Sequence, residues 1–101
     1  MTPPAAAPRL AGKRVLITHA DAFMGPTLCE VFAEHGAEVV ASTDRLAAPE
    51  APAAVVAAAG HIDILVANLA HPAPTSAVTD VSEQEWADTF AALVHPLPRL
   101  F

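Results

Sequence analysis

The residues best placed for chemistry lie in one short stretch, Thr18-His19-Ala20-Asp21-Ala22-Phe23-Met24-Gly25, directly after the apolar run Val15-Leu16-Ile17. A strand, a loop and a helix in that order bind phosphate when glycines fill the loop. Backbone alone can then approach a pyrophosphate and rest it on the helix N-terminus. Only Gly25 remains of such a set here, and a histidine and a phenylalanine stand where side chains obstruct that approach. The helix N-terminus still favours a small anion through its N–H groups and partial positive charge, by roughly 0.3 to 1 kcal/mol when exposed. The loop is therefore expected to disfavour a bulky cofactor and to tolerate an ion the size of a halide.

Two other positions face the same end of the strands. Asp44 follows the second apolar run, where an acidic residue can read a ribose hydroxyl; with the glycines gone, a solvated turn or cap is the plainer expectation. Asn68 closes the third run and either ends a turn through its amide or faces a ligand. His19, His35, His61, His71 and Cys29 lack metal-ligand spacing, so no metal is expected. No carboxylate pair, serine triad or nucleic-acid motif stands out.

The elements that must hold these residues follow from hydrophobic spacing. Arg14 to Thr18 is expected as a first strand, its run Val15-Leu16-Ile17 short and continuously apolar as in a strand covered on both faces. Met24, Leu28, Val31, Phe32 and His35 recur at helical spacing, and Gly36 supplies the stop. Glu38 to Ser42 is a second buried strand, completing strand, helix and strand within about 30 residues, a unit whose strands run parallel with a right-handed crossover. Leu46 to Gly60 is alanine-rich, with Pro52 near its start and Gly60 past its end, and predicts a second helix. Ile62, Ile64, Leu65 and Val66 form a third strand, expected on the far side of the first. A proline-containing loop, 71–79, follows. Ser82 and Glu85 make a capping box for a third helix carrying Trp86, Phe90, Leu93, Val94 and Leu97, which Pro96 and Pro98 should kink or break near His95. The expected fold is α/β, the N-terminal half of a doubly wound parallel-sheet domain of Rossmann type, with three strands and three helices.

Composition bounds the reading. A chain of 101 residues, 53% hydrophobic with one tryptophan, can bury a single core. Residues 1–9, rich in proline and alanine, read as a disordered leader, and 10–101 as the domain, incomplete at its end. The net charge of -6 offers no basic patch for nucleic acid. No run reaches the roughly 20 apolar residues of a membrane span, and the lone Cys29 makes no internal disulfide, so the cytoplasm is the expected compartment.

Thr18 to Gly25, Gly36-Ala37-Glu38-Val39-Val40 and Asp63-Ile64-Leu65-Val66-Ala67-Asn68 occupy the spacing of the short-chain dehydrogenase/reductase family. Leu10 to Thr18, Ala20 to Gly25, Gly60-His61-Ile62-Asp63, Val66-Ala67-Asn68 and Val94-His95-Pro96-Leu97 look like the halohydrin dehalogenases of that superfamily, closest to their B type. The resemblance spans Leu10 to Phe101. It implies cofactor-independent conversion of vicinal haloalcohols to epoxides with release of halide, reversible by small anions. An aromatic side chain filling the glycine loop walls the halide pocket, and Phe23 stands at that position, where it could equally plug the sheet edge. Asn68, Leu69 and Pro72 would line the substrate side, with Leu69 replacing an acidic residue found in some relatives.

By the same resemblance a tyrosine takes the hydroxyl proton, a serine holds the substrate oxygen and an arginine keeps the tyrosine ready. These residues would lie beyond Phe101, and the sequence has no tyrosine. The expectation is thus an N-terminal fragment with no catalytic residue and no cofactor site of its own, inactive alone and taken from a homotetramer. The rival expectations are a divergent NAD(P)-dependent oxidoreductase and a non-catalytic remnant.

Overall fold

The computed structural model describes residues 9–72 and 76–101. Residues 1–8 of the expected leader, 1–9, and the middle of the proline loop, 73–75, lie outside the described residues. Three strands, β1 (Arg14–Ile17), β2 (Glu38–Ala41) and β3 (Ile64–Val66), form one parallel sheet in the order β2-β1-β3. Val15 pairs with Val39 on one side and Ile64 on the other, the register that puts all three carboxyl ends at one rim.

The continuous apolar run of β1 is explained by its central position: Val15, Leu16 and Ile17 are each 0% exposed. Because alternate side chains face opposite ways, the run feeds two cores. Leu16 packs with Leu46, Val55, Ala59 and Leu100, and Val15 and Ile17 pack with Ala20 and Ala37 beneath Leu28 and Phe32. Each such side chain contributes about 1.5 to 3 kcal/mol. β2 and β3 flank the sheet, so Val39, Val40, Ile64, Leu65 and Val66 are only half-buried. Full coverage of both outer strands, as their apolar sequence suggests, is not what the described residues provide.

Helix α1 (Gly25–Glu34) covers one face and stops at Gly36, whose φ of +89° is the left-handed conformation that ends helices. Helix α2 (Ala51–Ala59) covers the other. It starts five residues later than the alanine content suggests. Pro49 disfavours helical backbone at Ala48, and Pro52 fits only the first turn, so Leu46 enters the core from a loop instead. A 3-10 turn (Val78–Asp80) precedes helix α3 (Glu83–Leu93), capped by Ser82, whose Oγ accepts the Glu85 N–H at 3.1 Å. The expected break near His95 divides the third helix: α3 ends at Leu93, and Pro96 opens a short α4 (Pro96–Arg99). Among the described residues no helix is long and apolar enough to cross a membrane.

At the amino ends of the strands one side chain ties three elements. Arg14 donates from Nε to Glu38 Oε2 (3.0 Å) and from Nη1 to the carbonyls of Ala59 (2.9 Å) and His61 (2.6 Å). Its backbone N–H is accepted by Asp63 Oδ2 at 2.9 Å, and this bond, then one from His61, then the nearby charge of Lys13, holds the Asp63 carboxyl below its ordinary range. A folded-state value lowered in this way stabilises the fold above the unfolded value of about 3.9 and is lost as pH falls through the folded value. Asp63→Asn is accordingly expected to melt earlier than the parent at neutral pH and to converge with it in acid. Parallel melting curves at every pH would contradict the assignment.

Candidate functional site

The loops leaving the carboxyl ends of all three strands enclose a cavity of about 430 Å³. His19, Asp21, Ala22 and Phe23 come from the loop after β1, Thr43 and Arg45 from that after β2, and Ala70, His71 and Pro72 from that after β3. With β1 between β2 and β3, this is the point where the strand order reverses, the place where open parallel sheets bind ligands. A second cavity of about 250 Å³ adjoins it, sharing His19, Arg45, Ala70 and His71 and extending to Asp88 and Ala92 of α3.

The loop after β1 bends as a glycine loop does. His19 (φ +45°) and Phe23 (φ +53°) are the described non-glycine residues in the left-handed region. An L side chain there costs about 1 kcal/mol or more, and such strain persists only where the surroundings impose it. Those surroundings can be named. Gly25 is buried so tightly that a Cβ would lie 2.5 Å from the Ala20 carbonyl group and from the His19 oxygen. Asn68, 6% exposed, donates from Nδ2 to the carbonyls of His19 (2.9 Å) and Ala22 (3.0 Å), while Thr18 Oγ1 donates to the Asn68 carbonyl at 2.7 Å. From the other side the Ala20 N–H donates to the Ser42 carbonyl at 2.9 Å. The loop is therefore pinned to both neighbouring strands.

Of the four residues singled out from sequence, Phe23 and Pro72 stand on the cavity wall, with Phe23 78% exposed at its rim. Asn68 lies behind the wall as the brace of the loop, and Leu69 packs half-buried against the Leu16 and Leu46 core. Asp44 forms a turn, its N–H donated to Ser42 Oγ at 3.4 Å. The sequence reading overlooked Thr43, Arg45 and His71 as wall residues. Arg45 had a usable signal, being one of only five Lys or Arg residues and lying four residues beyond the end of β2.

Two features set the electrostatics. Burial holds the His19 imidazole below its ordinary value, Asp21 pulling it back up and Arg45 lowering it further, so at neutral pH it is chiefly the uncharged ring. Arg45 forms no ion pair among the described residues and is the fixed cation of the wall. The α1 N-terminus has few donors to give. Gly25 N–H is donated to the Ala22 carbonyl at 2.8 Å, Pro26 has none, and Leu28 N–H is donated to the Met24 carbonyl, which leaves the Thr27 N–H without a partner among the described residues. Among the described residues no three His, Cys, Asp or Glu side chains gather as metal ligands would.

No family model matches the sequence, and no curated protein is similar to it at a significant level. Among solved structures the chain is similar to the crystal structure of L-sorbose reductase from Gluconobacter frateurii complexed with NADPH and L-sorbose. The TM-score is 0.80 at 23% sequence identity, over 94% of this chain and 47% of that one. The two share a fold. The chain thus spans about half the length of that reductase, and the parallel sheet with helices on both faces is the α/β architecture expected from the residue pattern.

Proposed function

We propose that this chain builds one wall of a cofactor-independent halohydrin dehalogenase within the short-chain dehydrogenase/reductase superfamily. The observation that carries the reading is the pair His19 and Phe23. Both stand in left-handed backbone that glycine would occupy freely, and both put side chains on the cavity wall. A pyrophosphate needs bare backbone at those positions and free N–H groups at the helix start, where Pro26 and the Ala22-bonded Gly25 offer none and Thr27 keeps the one N–H of the first turn without a partner among the described residues. That setting disfavours a dinucleotide phosphate.

In this reading a vicinal haloalcohol enters between Phe23 and Pro72. A base removes the hydroxyl proton, the alkoxide oxygen attacks the neighbouring carbon, and the carbon–halogen bond breaks with its electron pair leaving on the halide. The base, and the serine and arginine that serve it, come from outside residues 1–101. What this chain supplies is position and field. Asn68 holds the loop in shape, the ring edge of Phe23 presents partial positive charge to the departing halide, and Arg45 favours an anion at the mouth. The same resemblance makes the working form a cytoplasmic homotetramer.

The second reading, an NAD(P)-dependent oxidoreductase, is favoured by the solved relative, whose structure holds NADPH; that likeness backs the reductase better than the dehalogenase. Halide release from a vicinal haloalcohol, measured on the enzyme that contains this chain with and without NADPH, separates the two. Release independent of NADPH is expected, with Phe23→Ala weakening inhibition by bromide. A strict requirement for nicotinamide overturns the proposal.

A further inference from the structure

The 3-10 turn and the first turns of α3 enclose a groove of about 280 Å³ that shares no lining residue with the strand-end cavity. Its wall is Ser76, Val78, Val81, Glu85, Trp86 and Thr89. Apart from Glu85 it is mostly apolar, and its apolar members are unusually bare: Val78 is 88% exposed and Trp86 54%.

Glu85 is the exception that gives the groove a chemistry. As the third residue of α3 it is placed to complete the capping box by turning its carboxylate back towards Ser82. The backbone half of the box is made, but Oε1 instead accepts from Ser76 Oγ at 3.5 Å, across the groove. Oε2 is withdrawn from solvent with no donor among the described residues. A carboxylate oxygen out of water and without a partner is costly, and a cation or charged donor brought alongside would offset that cost. Among the described residues none is paired with it. Between Ser76 and Val94 there is no Lys, Arg or His, while Asp80, Glu83 and Asp88 add negative charge to that of Glu85. The exposed indole of Trp86 offers a face of the kind that attracts cations.

We infer that this groove is a binding site for an organic ammonium ion with an apolar body, the charge set by the Glu85 carboxylate and the Trp86 ring and the body lying on Val78 and Val81. The site owes nothing to the strand-end cavity, so it stands or falls apart from the carbon–halogen chemistry.

The chain holds a single tryptophan, so its fluorescence reports this groove directly. Titration of the full chain with phenethylammonium chloride should change Trp86 emission saturably, and the neutral phenethyl alcohol should not. Glu85→Gln should weaken binding about tenfold, the loss of a charged hydrogen-bond partner, while Glu83→Gln, outside the groove, should weaken it far less. Binding of the alcohol as tightly as the ammonium would overturn the inference, and that comparison needs no variant to fold. Equal weakening by the two substitutions would overturn it also, as diffuse acidity rather than a built site, and so would the absence of any saturable change.

Discussion

Gly25→Ala is expected to destabilise the protein by about 3 kcal/mol or more. The reason is local. The added Cβ would meet the backbone of His19 and Ala20 at 2.5 Å, and backbone cannot rotate aside as the end of a side chain can. The segment that would have to yield is also held by the Ser42 carbonyl and by Asn68. Relief therefore requires moving the loop away from both neighbouring strands. Urea denaturation followed by circular dichroism measures the loss. Gly12→Ala is the internal comparison: its position has open space around it, so only its φ of +80° opposes the substitution. Similar midpoints for the two variants would show that the close approach at Gly25 is easily relaxed.

Asn68→Ala should cost about 2 kcal/mol, since it leaves the His19 and Ala22 carbonyls without their shared donor in a partly buried setting. Asn68→Asp should be worse at neutral pH, because a carboxylate cannot donate and would face two carbonyl oxygens. The pH dependence identifies the cause. The introduced acid is neutralised more readily in the folded state, so its folded-state value lies above the unfolded one, and the penalty grows as pH rises through the interval between them. At low pH the protonated acid regains one donor and the defect should shrink towards that of the alanine variant. Thermal melts of the three proteins between acid and neutral pH test this; a penalty for Asn68→Asp that is constant with pH would mean that the amide does not brace the loop.

The difference between Asn68 and Arg45 shows what could be read before any coordinates. The helix stop at Gly36, the Ser82 cap and the break at His95 follow from short-range chemistry, the sheet order from the rule for doubly wound parallel sheets, and each is found where it is expected. Asn68 was legible as the end of a strand, but not as a donor to carbonyls 46 and 49 residues away, since nothing local distinguishes a bracing amide from one that faces a ligand. Arg45 and His71 were harder still. They reach the cavity from loops without regular structure, and only the register of the three strands brings those loops together. The late start of α2 differs in origin: Pro49 and Pro52 bar the helix locally although the surrounding alanines favour it, and Leu46 packs into the core from the loop.

The left-handed backbone at His19 and Phe23 has a consequence for how such a site can change over generations. The bend is imposed by neighbours, Gly25 below and Asn68 beside it, and not by the two residues that occupy it. The mould and its contents are therefore inherited separately. Replacements at 19 and 23 alter the size and polarity of what the crevice admits while the path of the chain stays the same. A lineage can thus exchange one ligand for another at these two codons without passing through an unfolded ancestor.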